Sequence, residues 1–161
     1  MKLEELYDCY GEKLFHYLTV RLGSRSDAED VLQDVFLRFS KYSSRWRIVR
    51  NMEAFVFRVA HNEANRFLRH RLSQDPASNT GPDLIKTISA EISGPDEQTK
   101  NVLSNALARL PDEQREIIVL KIFEELTFKE IASVCDLSIN TVSSRYRYGI
   151  AKLQTFLEGK I

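Results

Sequence analysis

Arginine, asparagine and an aromatic ring recur at helical spacing in FVFRVAHNEANRFLRHR, residues 55–71. Wound at about 100° per residue, this segment puts Phe55, Arg58, Asn62, Asn65, Arg66 and Arg69 on one side. Guanidinium groups hold phosphates, carboxamides both donate and accept at a base edge, and a ring stacks on an unpaired base. The face therefore suits single-stranded nucleic acid, whereas a face of arginines alone is ordinarily just solvated. Immediately upstream, RFSKYSSRWRIVR adds Arg45, Trp46, Arg47 and Arg50 in an expected loop beside the same helix.

Other elements must hold this face in place. On the far side of the helix Val56, Phe57, Ala60, Ala64, Phe67 and Leu68 form a packing stripe, in which the two alanines let a neighbour approach closely. The preceding helix, announced by the capping box Ser26-Asp27-Ala28-Glu29, packs through Ala28, Leu32, Val35, Phe36 and Phe39. Its opposite side gathers Asp30, Gln33, Asp34 and Leu37. Periodicity leaves two readings of that side: a solvated acidic face, or a docking face whose leucine supplies contact and whose acids select a basic partner.

A third face lies in LTFKEIASVCDLSINTVSSRYRYGIAKL. Thr127 can cap a short helix with Ile131, Ala132 and Val134 inward, Cys135-Asp136-Leu137 makes a tight turn, and Ser138 can cap a longer helix. This is helix-turn-helix spacing, which also occurs in plain helical bundles. Ile139, Val142, Tyr146, Gly149, Ile150 and Leu153 form the expected inner stripe of the second helix. Asn140, Thr141, Ser143, Ser144, Arg147 and Tyr148 are left outward near its N-terminal half, the part such helices place in a major groove. Leu110-Pro111-Asp112-Glu113 marks a further helix start.

The 161 residues carry no net charge, yet the charge is partitioned. Residues 1–37 hold four basic and eight acidic side chains, and residues 38–71 hold nine basic and two acidic ones. Opposed blocks point to two kinds of partner surface, the basic one suited to nucleic acid. Residues 73–97 contain three of the four prolines, and their acids face only Lys86; this reads as an acidic, flexible linker. The expected architecture is all-α, with two small helical domains at 1–72 and 98–161. Cys9 and Cys135 have no companions at zinc or disulfide spacing, and no metal or cofactor is expected. His16, His61 and His70 do not pair with carboxylates at triad spacing and there is no phosphate loop, so an enzyme is not expected. The opening residues lack a signal-peptide pattern and no apolar run approaches a membrane span, so a cytoplasmic protein without membrane insertion is expected.

Three blocks, DAEDVLQDVFLRF, EAFVFRVAHNEANRFLR and ALARLPDEQREIIVLKIFEELTFKEIASVCDLSINTVSSR, together resemble the extracytoplasmic-function sigma factors of bacterial RNA polymerase. The resemblance implies that residues 1–72 bind the clamp coiled coil of core polymerase through Asp30, Gln33, Asp34 and Leu37. It implies that Arg45, Trp46, Arg47, Arg50, Phe55, Arg58, Asn62, Asn65, Arg66 and Arg69 melt the minus-ten element and hold its non-template strand. For residues 98–161 it implies reading of the duplex minus-thirty-five element by Lys129, Thr141, Ser143, Ser144, Arg147 and Tyr148, and docking on the polymerase flap. Relatives are often held by an anti-sigma protein. The chain departs from the family pattern at Phe55, Asp136, Ser143 and Tyr148-Gly149, where tryptophan, glycine, a basic residue and arginine-alanine are common. A plain duplex-binding regulator of the LuxR type shares the NTVSSRYRYGIAKL block, but would have no use for the face at 55–69.

Overall fold

The computed structural model describes residues 2–74 and 81–160. The described residues fold into α1 (Leu3–Leu22), α2 (Arg25–Lys41), a 3₁₀ turn (Ser43–Ile48), α3 (Met52–Gln74), α4 (Gly81–Glu91), α5 (Glu97–Arg109), α6 (Asp112–Ile118), α7 (Phe128–Cys135) and α8 (Ile139–Leu157). A π-helical turn, Val119–Phe123, extends α6. No strand occurs among them, and the expectation of an all-α chain holds.

The first three helices pack around Leu14, Tyr17, Leu18, Val35, Phe39, Val56, Phe57 and Ala60, all fully buried or nearly so. The alternation read from α2 and α3 is what buries these residues: side chains three and four apart share a face. Helix α2 starts two residues earlier than its sequence suggests. Ser24, not Ser26, is the cap, its hydroxyl accepting from the Asp27 N–H at 3.2 Å. Either serine offers the same oxygen, but Gly23 ends α1 in the left-handed region (φ 69°), and that turn leaves Ser24 at the junction.

Helices α5 to α8 form the second unit, centred on Leu107, Ile117, Ile118, Leu120, Ile131, Val134 and Val142. Thr127 and Glu130 make a reciprocal capping box at α7, and Ser138 caps α8 by accepting from the Thr141 N–H at 3.1 Å. Asp136 takes the left-handed conformation (φ 55°) the turn requires, at a cost that an Asp side chain tolerates. Gly149 allows α8 to lie against α6, since a Cβ there would sit 2.7 Å from Ile118 Cδ1. One member of the expected inner stripe is outside it: Ile139, the first residue of α8, is half exposed.

The segment read as a linker is structured over much of its length. Residues 75–80 lie outside the described residues, but α4 follows directly and buries Leu84 and Ile88, with Ile92 just beyond it. That i, i+4, i+8 spacing is a helical stripe whose short length hid it among prolines and acids. Helix α4 packs on α1 and on α5, bridging the two units. Thr87 Oγ1 donates to the Gly23 carbonyl at 3.0 Å and Arg25 pairs with Glu91 at 2.5 Å.

Candidate nucleic-acid interface

Along α3 the outward side chains Arg58, Asn62, Arg66 and Arg69 are exposed. Asn62, Asn65, Arg66 and Arg69 meet Arg38, Tyr42 and Val59 around a 300 Å³ pocket between α2 and α3, at the small end of ligand-binding cavities. Its wall is organised by Glu63, which is buried and pairs with Arg38 at 2.6 Å and with Arg66 at 4.0 Å. The buried carboxylate thus holds the Arg38 guanidinium by a short charge-assisted contact at the rim, while Arg66 lies at the limit of ion pairing and stays largely exposed. Arg38 and Tyr42 line this pocket from the end of α2, so the periodicity of α3 carries no signal for them.

The expected placement is corrected at three positions. Trp46 is 7% exposed; it is the apolar anchor of the 3₁₀ turn, because a short turn needs one large side chain to hold it on the domain. Its neighbours Arg45, Arg47 and Arg50 are exposed, and Ile48 between them is 79% exposed. The Arg45 guanidinium lies over the Tyr42 ring, 5.6 Å from its centroid, which ties the turn to the pocket. Phe55 is half-buried, its ring 5.9 Å from that of Phe39, so the core does use it. Asn65 is tied inside its own domain: its Oδ1 accepts from Arg21 Nη2 at 2.8 Å and its Nδ2 meets His61 Nε2 at 3.1 Å.

The two units meet through a buried polar cluster around Glu116 of α6. One oxygen, Oε1, accepts from Tyr17 Oη at 2.5 Å and from Arg21 Nη1 at 2.8 Å, and lies 2.5 Å from His61 Nδ1. Burial by itself would raise the Glu116 carboxyl, but Arg21, and then His61, outweigh it and hold the group at about 2. Burial pushes the Tyr17 hydroxyl and the Cys135 thiol well up. His61, Glu116 and Cys135 bring ligand atoms within 4.8 Å of one another. The cation there is the Arg21 guanidinium, and a divalent ion would have to displace it and deprotonate that thiol. A second contact joins His16 Nδ1 of α1 to Glu124 Oε1 at 2.9 Å, and a third runs from Asn51 Nδ2, before α3, to Glu130 Oε2 of α7 at 2.9 Å. The sequence carries no local signal for these pairs.

The acidic quartet of α2 is grouped as read. Asp30, Gln33 and Asp34 are exposed and Leu37 is 62% exposed, on the side of α2 away from its buried Val31 and Val35. On α8, Arg147 is exposed and Tyr148 is 64% exposed, whereas Thr141, Ser143 and Ser144 are half-buried; Lys129 of α7 is exposed. Ser144 Oγ accepts from Arg147 Nη2 at 3.3 Å.

Comparison with known proteins agrees with this division. Residues 6–73 match Sigma-70 region 2 and residues 100–153 match Sigma-70 region 4. The RNA polymerase sigma factor SigZ of Bacillus subtilis is 26% identical over 99% of this chain and 89% of its own. The extracytoplasmic-function sigma factor SigW of Bacillus subtilis is 26% identical over 90% and 83%, and the sigma-E factor of Escherichia coli is 26% identical over 83% and 81%. In overall fold the chain is similar to the sigma factor RpoE solved with the anti-sigma factor NepR from Bartonella quintana, with a TM-score of 0.77, 18% identity and 98% coverage of both chains. It is also similar to CnrH solved with the cytosolic domain of CnrY, with a TM-score of 0.71, 22% identity and coverage of 99% and 89%. With regions 2 and 4 in order and relatives that match nearly end to end, the chain belongs to the extracytoplasmic-function sigma factors of RNA polymerase.

Proposed function

We propose that the chain works as its family does, bringing core polymerase to promoters and starting strand separation, with residues 1–72 at the minus-ten element and residues 98–161 at the minus-thirty-five element. The observation that carries the reading of α3 is the joint placement of Asn62, Arg66 and Arg69 around a pocket with Arg38 and Tyr42. Carboxamide, guanidinium and ring there can bond, hold and stack an extruded base, and that capture offsets the few kcal/mol of unstacking. Arg45, Arg47 and Arg50 would follow the phosphates, and Ile48 stands where an apolar side chain can press into an opened step. Asp30, Gln33, Asp34 and Leu37 fit the clamp coiled coil as an acidic rim around an apolar contact. Lys129, Thr141, Ser143, Ser144, Arg147 and Tyr148 would face duplex DNA.

Such a protein acts inside the cytoplasm and needs no catalytic residue or cofactor, since binding energy drives melting. No helix among the described residues is long and apolar enough to cross a membrane. RpoE, which is similar in fold, was solved with an anti-sigma factor, and a partner of that kind would fit here. The deciding experiment combines the purified chain with core polymerase on promoter templates. A promoter-specific transcript supports the reading; protection of a duplex site by the chain alone, with no transcript, would replace it with a plain regulator.

A further inference from the structure

Two buried carboxylates of the second unit, Glu116 and Glu124, each meet a histidine of the first. Glu116 is 7% exposed and Glu124 is 4% exposed, and they receive His61 at 2.5 Å and His16 at 2.9 Å. Around the first pair, Arg21, Tyr17 and Asn65 complete a closed hydrogen-bonded ring across the domain boundary. A charged group is buried this deeply only when its partners are present, so separation of the domains must rehydrate Arg21 and Glu116 together. Asn65, from the α3 face, is bonded to Arg21 and His61, the two groups of its own domain that hold Glu116, and Asn51 before α3 is held across the boundary by Glu130.

We propose that this contact is a latch: the free chain closes region 4 onto region 2, protonation of His16 favours the closed form, and the latch must open before both promoter elements can be engaged. The last clause rests on the sigma-factor reading and follows from size. A compact chain of 161 residues has a radius of gyration of about 15 Å and a width of roughly 40 Å. The minus-ten and minus-thirty-five elements are about 25 base pairs apart, or roughly 85 Å at about 3.4 Å per step. The closed form therefore cannot reach both.

The proton dependence is placed on His16 by its surroundings. Its Nδ1 faces Glu124, its Nε2 faces the Glu91 carbonyl at 3.1 Å, and its ring meets Phe123 edge-on. The nearby Glu91 carboxylate is taken by Arg25. The hydrogen bond to Glu124 raises His16 above its ordinary value, against the opposing effect of burial. Once the domains part, the ring returns to about 6.5. The contribution of this pair to closure is thus complete below that pH and fades as pH rises through the closed-state value.

Cys135 gives a native probe, because it lines the latch cavity with Arg21, His61 and Glu116 while Cys9 is exposed. Alkylation of the full chain with iodoacetamide, Cys135 rate divided by Cys9 rate, reads the opening equilibrium without polymerase or DNA. The ratio should rise severalfold from pH 6 to pH 8, bounded at tenfold for each pH unit separating the two titrations, and should be flat in His16→Gln. In Glu116→Gln, and independently in the milder Glu124→Gln, it should be raised at pH 6 with helical circular dichroism retained. A flat ratio in the unaltered chain overturns the proton dependence, and an unchanged ratio in both glutamate variants overturns the latch. Either failure leaves the transcription result, and with it the sigma-factor reading, untouched.

Discussion

Arg21 of α1 donates to Glu116 of α6 across 2.8 Å, both side chains almost wholly removed from water. Glu116→Ala leaves the guanidinium buried without its counter-charge, and a loss of about 3–5 kcal/mol is expected in denaturant unfolding. The double replacement Arg21→Met with Glu116→Leu should recover most of it, since removing both charges also removes their desolvation cost. Additive losses in that cycle would show that the two side chains act separately.

Trp46 and Asn62 separate a structural from a nucleic-acid role. Trp46→Ala should cost about 3–5 kcal/mol of stability, as for a buried aromatic. Trp46→Phe should leave promoter melting intact, because the indole N–H has no acceptor among the described residues and the phenyl ring can still fill the space. Melting lost in a stably folded Trp46→Phe would return this ring to the bases.

Asn62 is exposed at the pocket between α2 and α3. Asn62→Ala should leave unfolding free energy within about 0.5 kcal/mol of the unaltered chain. It should impair open-complex formation, followed by permanganate reactivity of unpaired thymines, far more than closed-complex binding. Equal loss in both steps would count against base capture.

Reversal of Asp30 and Asp34 to lysine tests the acidic face. Both are exposed, so the domain should fold with a change of about 0.5 kcal/mol or less per site, while binding to core polymerase in a pull-down is abolished. Undiminished binding would make the face merely solvated.

Much of the fold was legible because helices are local. Ser138, Thr127 and Asp136 announce the helix-turn-helix through short-range capping and a single left-handed turn, and α2 and α3 declare their inner faces by spacing alone. Helix α4 was missed for the complementary reason: Leu84, Ile88 and Ile92 give barely two turns of signal among proline and acidic residues, and only packing against α1 and α5 makes them a stripe.

The sequence by itself determined which side chains share a face: the acidic quartet of α2, the arginine and asparagine row of α3, the outward half of α8. Periodicity is a property of neighbouring residues, so no tertiary knowledge was required. Tertiary structure alone decided which members of those faces are free. Asn65 is drawn to Arg21 44 residues away, and Glu116 joins His61 and Arg21 across 55 and 95 residues. Trp46 and Phe55 are claimed by the core of their own domain. Burying a charge or a ring is a bargain struck between distant segments, and no repeat along the chain records it.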